Sequence, residues 1–133
     1  MSDRVKEIYK LAAQGYCCSQ IMIQMGLDAR QDENPELVDA VAGLCGGLYS
    51  GLICGTLTGA ACLLSLCDRN AARSTVPKLV EWFKKTYDTC YGGIDCADII
   101  DNNPGNRLER CPKIMGETYE KCRELLAESG HEI

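Results

Sequence analysis

Histidine is almost missing from this 133-residue chain: the one present, His131, sits in a Gly-His-Glu-Ile tail. Zinc hydrolases, His-Cys dyads and Ser-His-Asp triads all need an imidazole set among other groups, so those chemistries are poorly served and a bound metal must rely on thiolates. A basic surplus is missing too. Fourteen Lys and Arg are dispersed among 19 Asp and Glu for a net charge of −5, which leaves no electrostatic footprint for nucleic acid or an anionic membrane surface. The stretch from Met1 to Lys10 alternates charges where a signal peptide needs an apolar run, and this predicts a cytoplasmic protein. No alternation of polar and apolar residues reaches strand length. Finally, Cys-x-x-Cys does not occur, which counts against a zinc ribbon, a thioredoxin-like motif and a ferredoxin loop, and without Cys-x-x-Cys-His there is no standard c-type haem attachment.

Cysteine itself is abundant, with ten residues. In a reducing compartment so many thiols are metal ligands, redox groups or core residues more often than structural bridges. The length suits one domain with a real core, and 46% apolar against 25% charged residues is globular composition.

Periodicity predicts an all-α single domain, residues 1–133, of about six helices with a buried Gly/Cys-rich central pair. Val5, Ile8, Tyr9 and Ala12 mark a first helix over about 3–14, stopped by Gly15. A short second helix runs from Cys18 to Met25 and ends at Gly26. Asn34-Pro35-Glu36 combines an N-cap, a proline at the first helical position and an acidic first turn, opening a third helix over about 36–49. The 27 residues from Val41 to Cys67 carry no charge, which raises a membrane span. Nine Leu, Ile or Val among them are too few beside six glycines, four cysteines and four Ser or Thr, so the better reading is two buried helices, 36–49 and 55–67, turning near Ser50-Gly51. Glycines at Gly46, Gly47, Gly55 and Gly59 permit close backbone approach, helix to helix or backbone to a bound cofactor, and the small-residue steps also offer a homodimer face. A polar connection, Asp68 to Ser74, leads to a helix over about 75–89. Gly92-Gly93 breaks the chain, Cys96 to Ile100 forms one or two turns, Asn102-Asn103-Pro104-Gly105 is a turn, and Cys111-Pro112 opens the last helix.

Position on these elements sorts the thiols. Cys45, Cys62, Cys67 and Cys122 fall on buried faces and read as small hydrophobes. Cys18, Cys54, Cys96 and Cys111 each stand at a helix start, where unpaired N–H groups and the positive dipole end lower a thiol's pKa and favour the thiolate that ligates metal. Convergence of these four would make a soft, all-sulfur ligand set for an iron–sulfur cluster or zinc. Cys17 is a spare ligand, a resolving thiol or a bystander, because adjacent residues cannot aim both thiols at one place. Cys90 is assigned to structure. Glu117, Glu120, Glu124 and Lys84-Lys85 read as solvated helix faces, and no enzyme active site can be named.

The same four positions carry a resemblance. Gly15-Tyr16-Cys17-Cys18-Ser19-Gln20, then Gly46-Gly47 with Cys54-Gly55-Thr56-Leu57-Thr58-Gly59, then Phe83 with Cys96, then Cys111, together resemble the C_GCAxxG_C_C family over about residues 5–126. Thr56 stands where that motif has alanine. The resemblance implies a redox-active protein whose four ordered cysteines are Cys18, Cys54, Cys96 and Cys111, and whose relatives are similar to proteins encoded near transporters. A redox partner protein or a transporter-associated protein is the corresponding expectation for a partner. Three functions remain open: a cluster-binding redox carrier or sensor, with [2Fe–2S] as the expected centre; a structural Zn-thiolate interaction module; and a metal-free thiol–disulfide switch through pairs such as Cys18–Cys54.

Overall fold

Ser2 starts the first helix by accepting the Val5 N–H at 3.2 Å, and α1 (Asp3–Ala13) then buries Ile8 and Leu11. The computed structural model describes residues 2–133. Within them the chain is all-α, as the periodicity predicts, with eight α-helices, five of them longer than ten residues. The second helix, α2 (Cys18–Ala29), runs on past Gly26, which is no stop signal: its missing side chain makes room for Leu63 of a neighbouring helix.

The third predicted helix is shorter than expected. Asn34 caps α3 (Pro35–Val41) through the Leu37 N–H at 3.2 Å, but a 3₁₀ turn follows over Ala42–Leu44 and Cys45 is extended. The chain then turns left-handed. Gly46 (φ 62°), Gly47 (φ 61°), Leu48 (φ 61°) and Tyr49 (φ 52°) form one turn of opposite hand. Glycine adopts this conformation freely, whereas Leu48 and Tyr49 are each strained by about 1–2 kcal/mol. Both are also exposed, at 54% and 72%. The Leu52 N–H to Gly47 carbonyl bond, 3.0 Å, closes the turn.

The charge-free α4 (Gly55–Cys67) is the central helix, packed against α2, α5 (Ala72–Tyr91) and α8 (Cys111–Glu128). Helix α5 starts three residues earlier than predicted, with Pro77 inside it. Two short helices, α6 (Cys96–Ile100) and the unforeseen α7 (Gly105–Glu109), cover one end of the bundle. Ile8, Met22, Ile23, Leu63, Leu64, Phe83 and Tyr119 are among the side chains that fill a single core. No helix among the described residues is long and apolar enough to cross a membrane.

Candidate functional site

Three local arrangements bring distant cysteines to one end of the bundle. First, residues 52–54 run antiparallel to residues 94–96: the Cys54 N–H donates to the Ile94 carbonyl at 3.2 Å and the Cys96 N–H to the Leu52 carbonyl at 2.6 Å. Cys54 at the cap of α4 thus meets Cys96 at the start of α6. Second, buried Asn106 donates to the Ile100 carbonyl and Arg110 to the Ile99 carbonyl, both at 2.8 Å, which fixes α7 and the start of α8, with Cys111, against α6. Third, α2 lies so close to α4 that a methyl group at Gly55 would stand 2.7 Å from Cys18 Sγ, and one at Gly59 2.8 Å from the Ser19 Cα. Tyr9 ties α1 to this end by donating to the Leu108 carbonyl at 3.1 Å.

Between these elements is a cavity of about 310 Å³. Cys18, Cys54, Cys96 and Cys111 all line it, among apolar side chains that include Ile8, Ile21, Ile99 and Met115. Gly46 and Gly55 line it as well. Gly47 and Gly59, grouped with them from the sequence, do not; Gly47 backs onto Leu52 and Gly59 onto Ser19. Among the described residues no three His, Cys, Asp or Glu side chains stand close enough to close on one metal ion.

Three thiols of this cavity are less acidic than helix starts alone would make them. Burial pushes Cys18 upward, Cys54 up to about 11 and Cys111 up to about 12, and the like charges of the neighbouring thiolates add to each. The helix-start effect is present but smaller. The N–H groups of Gly46 and Ser19 favour the Cys18 thiolate, and those of Thr56 and Leu57, with the Thr56 hydroxyl, favour that of Cys54. Arg107 on α7 acts in the same direction on Cys18 and Cys111.

Three cysteines, Cys45, Cys62 and Cys67, depart from their expected places. Cys45 is not a free core thiol but is bonded to Cys17, across a Cα–Cα separation of 6.1 Å, in spite of the reducing compartment that the sequence predicts. This disulfide also lines the cavity. The partnership had no sequence signal, because it depends on the 3₁₀ turn that interrupts the third helix and faces Cys45 toward the start of α2. Cys122 is buried as predicted, whereas Cys62 and Cys67 are half-buried and Cys90 is exposed. Arg107 and the Thr56 hydroxyl are further members of the site that residue types alone did not single out.

A family model described as "Putative redox-active protein (C_GCAxxG_C_C)" matches residues 16–125, from the turn before Cys17 through most of α8. The chain belongs to this family. All four cysteines and the Cys54–Gly59 motif fall inside the matched region. No curated protein and no solved structure matches the chain.

Proposed function

We propose that the protein is a redox carrier or sensor in which Cys18, Cys54, Cys96 and Cys111 hold an iron–sulfur cluster of the [2Fe–2S] type and exchange electrons with a partner protein. The observation that carries this reading is the convergence of four free thiols on one largely apolar cavity. Their donor set is all sulfur, as such clusters require, and the cavity of about 310 Å³ that they line leaves room for a group of several atoms. When bound, the cluster would supply one-electron transfer at a potential set by its surroundings.

The chain's own groups supply those surroundings. The apolar lining excludes water, the N–H groups of Gly46, Ser19, Thr56 and Leu57 donate toward the sulfurs, and Arg107 offsets negative charge. The Thr56 hydroxyl, where the family motif has alanine, adds a donor to Cys54. Gly55 keeps the cavity open, since a side chain there would strike Cys18. Loading requires Cys18, Cys54 and Cys111 to give up protons that burial holds on them, so it should be faster at higher pH.

Anaerobic purification or reconstitution with iron and sulfide tests the reading. The expected result is about two iron and two sulfide per chain, with visible charge-transfer bands. Serine at any of the four positions should lower iron content, while serine at Cys62 or Cys90 should not. Colourless protein lacking both elements under those conditions would overturn it, and one equivalent of zinc would favour the interaction module instead.

A further inference from the structure

The inner cavity is not the only space that the cysteines border. Outside it lies an open cleft of about 500 Å³, and Cys17, Cys45, Gly46, Cys96, Ile100 and Arg107 line both. The Cys17–Cys45 disulfide is therefore part of the wall between the buried thiols and the surface. Cys17 is half-buried and Cys45 only 3% exposed, so a nucleophile arriving through the cleft meets the Cys17 sulfur first. Behind the bond, Ser19 Oγ stands 2.9 Å from Cys45 Sγ while its proton goes to the Val41 carbonyl at 2.6 Å. Its free lone pairs face the sulfur, ready to accept from a Cys45 thiol. The cleft carries one cation, Arg107, which is exposed and forms no salt bridge among the described residues. The four-cysteine pattern of the family is complete without Cys17 and Cys45.

We propose that Cys17–Cys45, set in the wall between the four-thiol cavity and the outer cleft, is a second redox centre, and that its reductant is a small carboxylate-bearing thiol that enters the outer cleft and is held by Arg107. The thiol loses its proton to solvent and its thiolate attacks Cys17 Sγ. An S–S bond forms between the two, the Cys17–Cys45 bond breaks, and Cys45 leaves as a thiolate, which takes up a proton and donates it in a hydrogen bond to Ser19 Oγ. A second molecule of the small thiol attacks the mixed disulfide and releases Cys17 as a thiol. Two small thiols are oxidised to one disulfide, and the protein disulfide is reduced to two thiols. The cleft, at about 500 Å³, has room for a tripeptide-sized molecule, and among the described residues Arg107 is the one cation on its wall, which is why a small anionic thiol is the occupant that the chemistry favours.

The test uses protein purified without reductant. The link is followed by alkylation and peptide mass spectrometry during incubation with reduced glutathione or with 2-mercaptoethanol, a thiol without carboxylates. Glutathione is expected to open the link in the folded protein, and Arg107→Gln to slow glutathione about fivefold more than 2-mercaptoethanol, the effect of one exposed ion pair. Cys45→Ser given oxidised glutathione is expected to retain it on Cys17; should that variant fail to fold, the comparison of Arg107→Gln with the native chain decides alone. A link that opens only on denaturation would overturn the proposal, as would equal slowing of both thiols, or reduction by a thioredoxin-type dithiol protein but not by glutathione. Iron content enters none of these readouts, so a failure of the cluster reading would be seen separately.

Discussion

Removing the Cys17–Cys45 link should destabilise the chain by an amount that loop length sets. The two residues are 28 positions apart. Closing a loop of that size removes about 12 cal/mol/K from the unfolded ensemble, or about 3.6 kcal/mol at 25 °C. With a melting entropy of about 280 cal/mol/K for a chain of this length, the loss corresponds to a fall of about 13 °C in Tm. The two ends of the bond are unequal. Cys17 is half-buried, so Cys17→Ala should show little beyond the crosslink itself, whereas Cys45 is packed against Ser19 and Cys45→Ala should lose about 1 kcal/mol more from the missing sulfur.

Thermal and urea unfolding of the oxidised native chain, the two single variants and the double variant, all without reductant, measure these terms. Either substitution abolishes the link, so each single variant should show nearly the whole loss and the double variant should add almost nothing. The urea m value should rise in all three, because the unfolded chain is freed to expand. Single losses that add in the double variant, or a total below about 1 kcal/mol, would refute the claim that the crosslink restrains the unfolded state.

Further expectations follow from the packing and the turn. Gly59→Val should cost about 1–3 kcal/mol in urea unfolding, because its side chain would strike the Ser19 backbone where α2 meets α4. Leu48→Gly should stabilise by about 0.5–1 kcal/mol, the relief of left-handed strain less the added chain entropy of glycine; a loss on the same measurement would mean that the leucine side chain holds the turn. The Cys122 thiol, pushed up to about 12 by burial, contributes stability in full below pH 9 that is lost as pH rises through 12, on the order of 4 kcal/mol. Cys122→Ala should therefore flatten the alkaline limb of a stability–pH curve, and an unchanged limb would count against the buried thiol as its source.

How much was readable in advance depended on whether a residue's role was local. The helix-start positions of Cys18, Cys54, Cys96 and Cys111 follow from caps and periodicity within a few residues of each, and all four line one cavity. Gly26 and Gly46-Gly47 mislead for opposite reasons. The first looks like a helix stop but serves a contact with Leu63, which only the partner helix reveals; the second pair sits in a helical pattern of apolar residues that the left-handed turn overrides. The acidity expected of Cys18, Cys54 and Cys111 is local as well, and it yields to burial, a property of the assembled bundle. Local donors such as the Thr56 and Leu57 N–H groups lower the Cys54 pKa, but removal from water raises it further.

The vicinal pair Cys17-Cys18 shows how one helix start can serve two sites. Cys17 is the extended N-cap of α2, with its N–H held by the Gln20 side chain at 3.1 Å, and Cys18 is the first helical residue. The change of backbone conformation between them turns the two side chains apart. Cys17 reaches out to Cys45 and the surface cleft, while Cys18 turns in toward Gly55 and the thiols of Cys54 and Cys111. The disulfide and the four thiols thus involve adjacent residues, with the disulfide in the wall that the inner cavity shares with the cleft. Because Gly46 follows Cys45 directly and offers its N–H to Cys18, opening the disulfide would free the segment that supplies that donor. Reduction of the outer bond is then expected to alter the inner site through one peptide group, and, if the protein takes up the proposed cluster, a shift in its potential in Cys17→Ala, absent in Cys90→Ala, would register it.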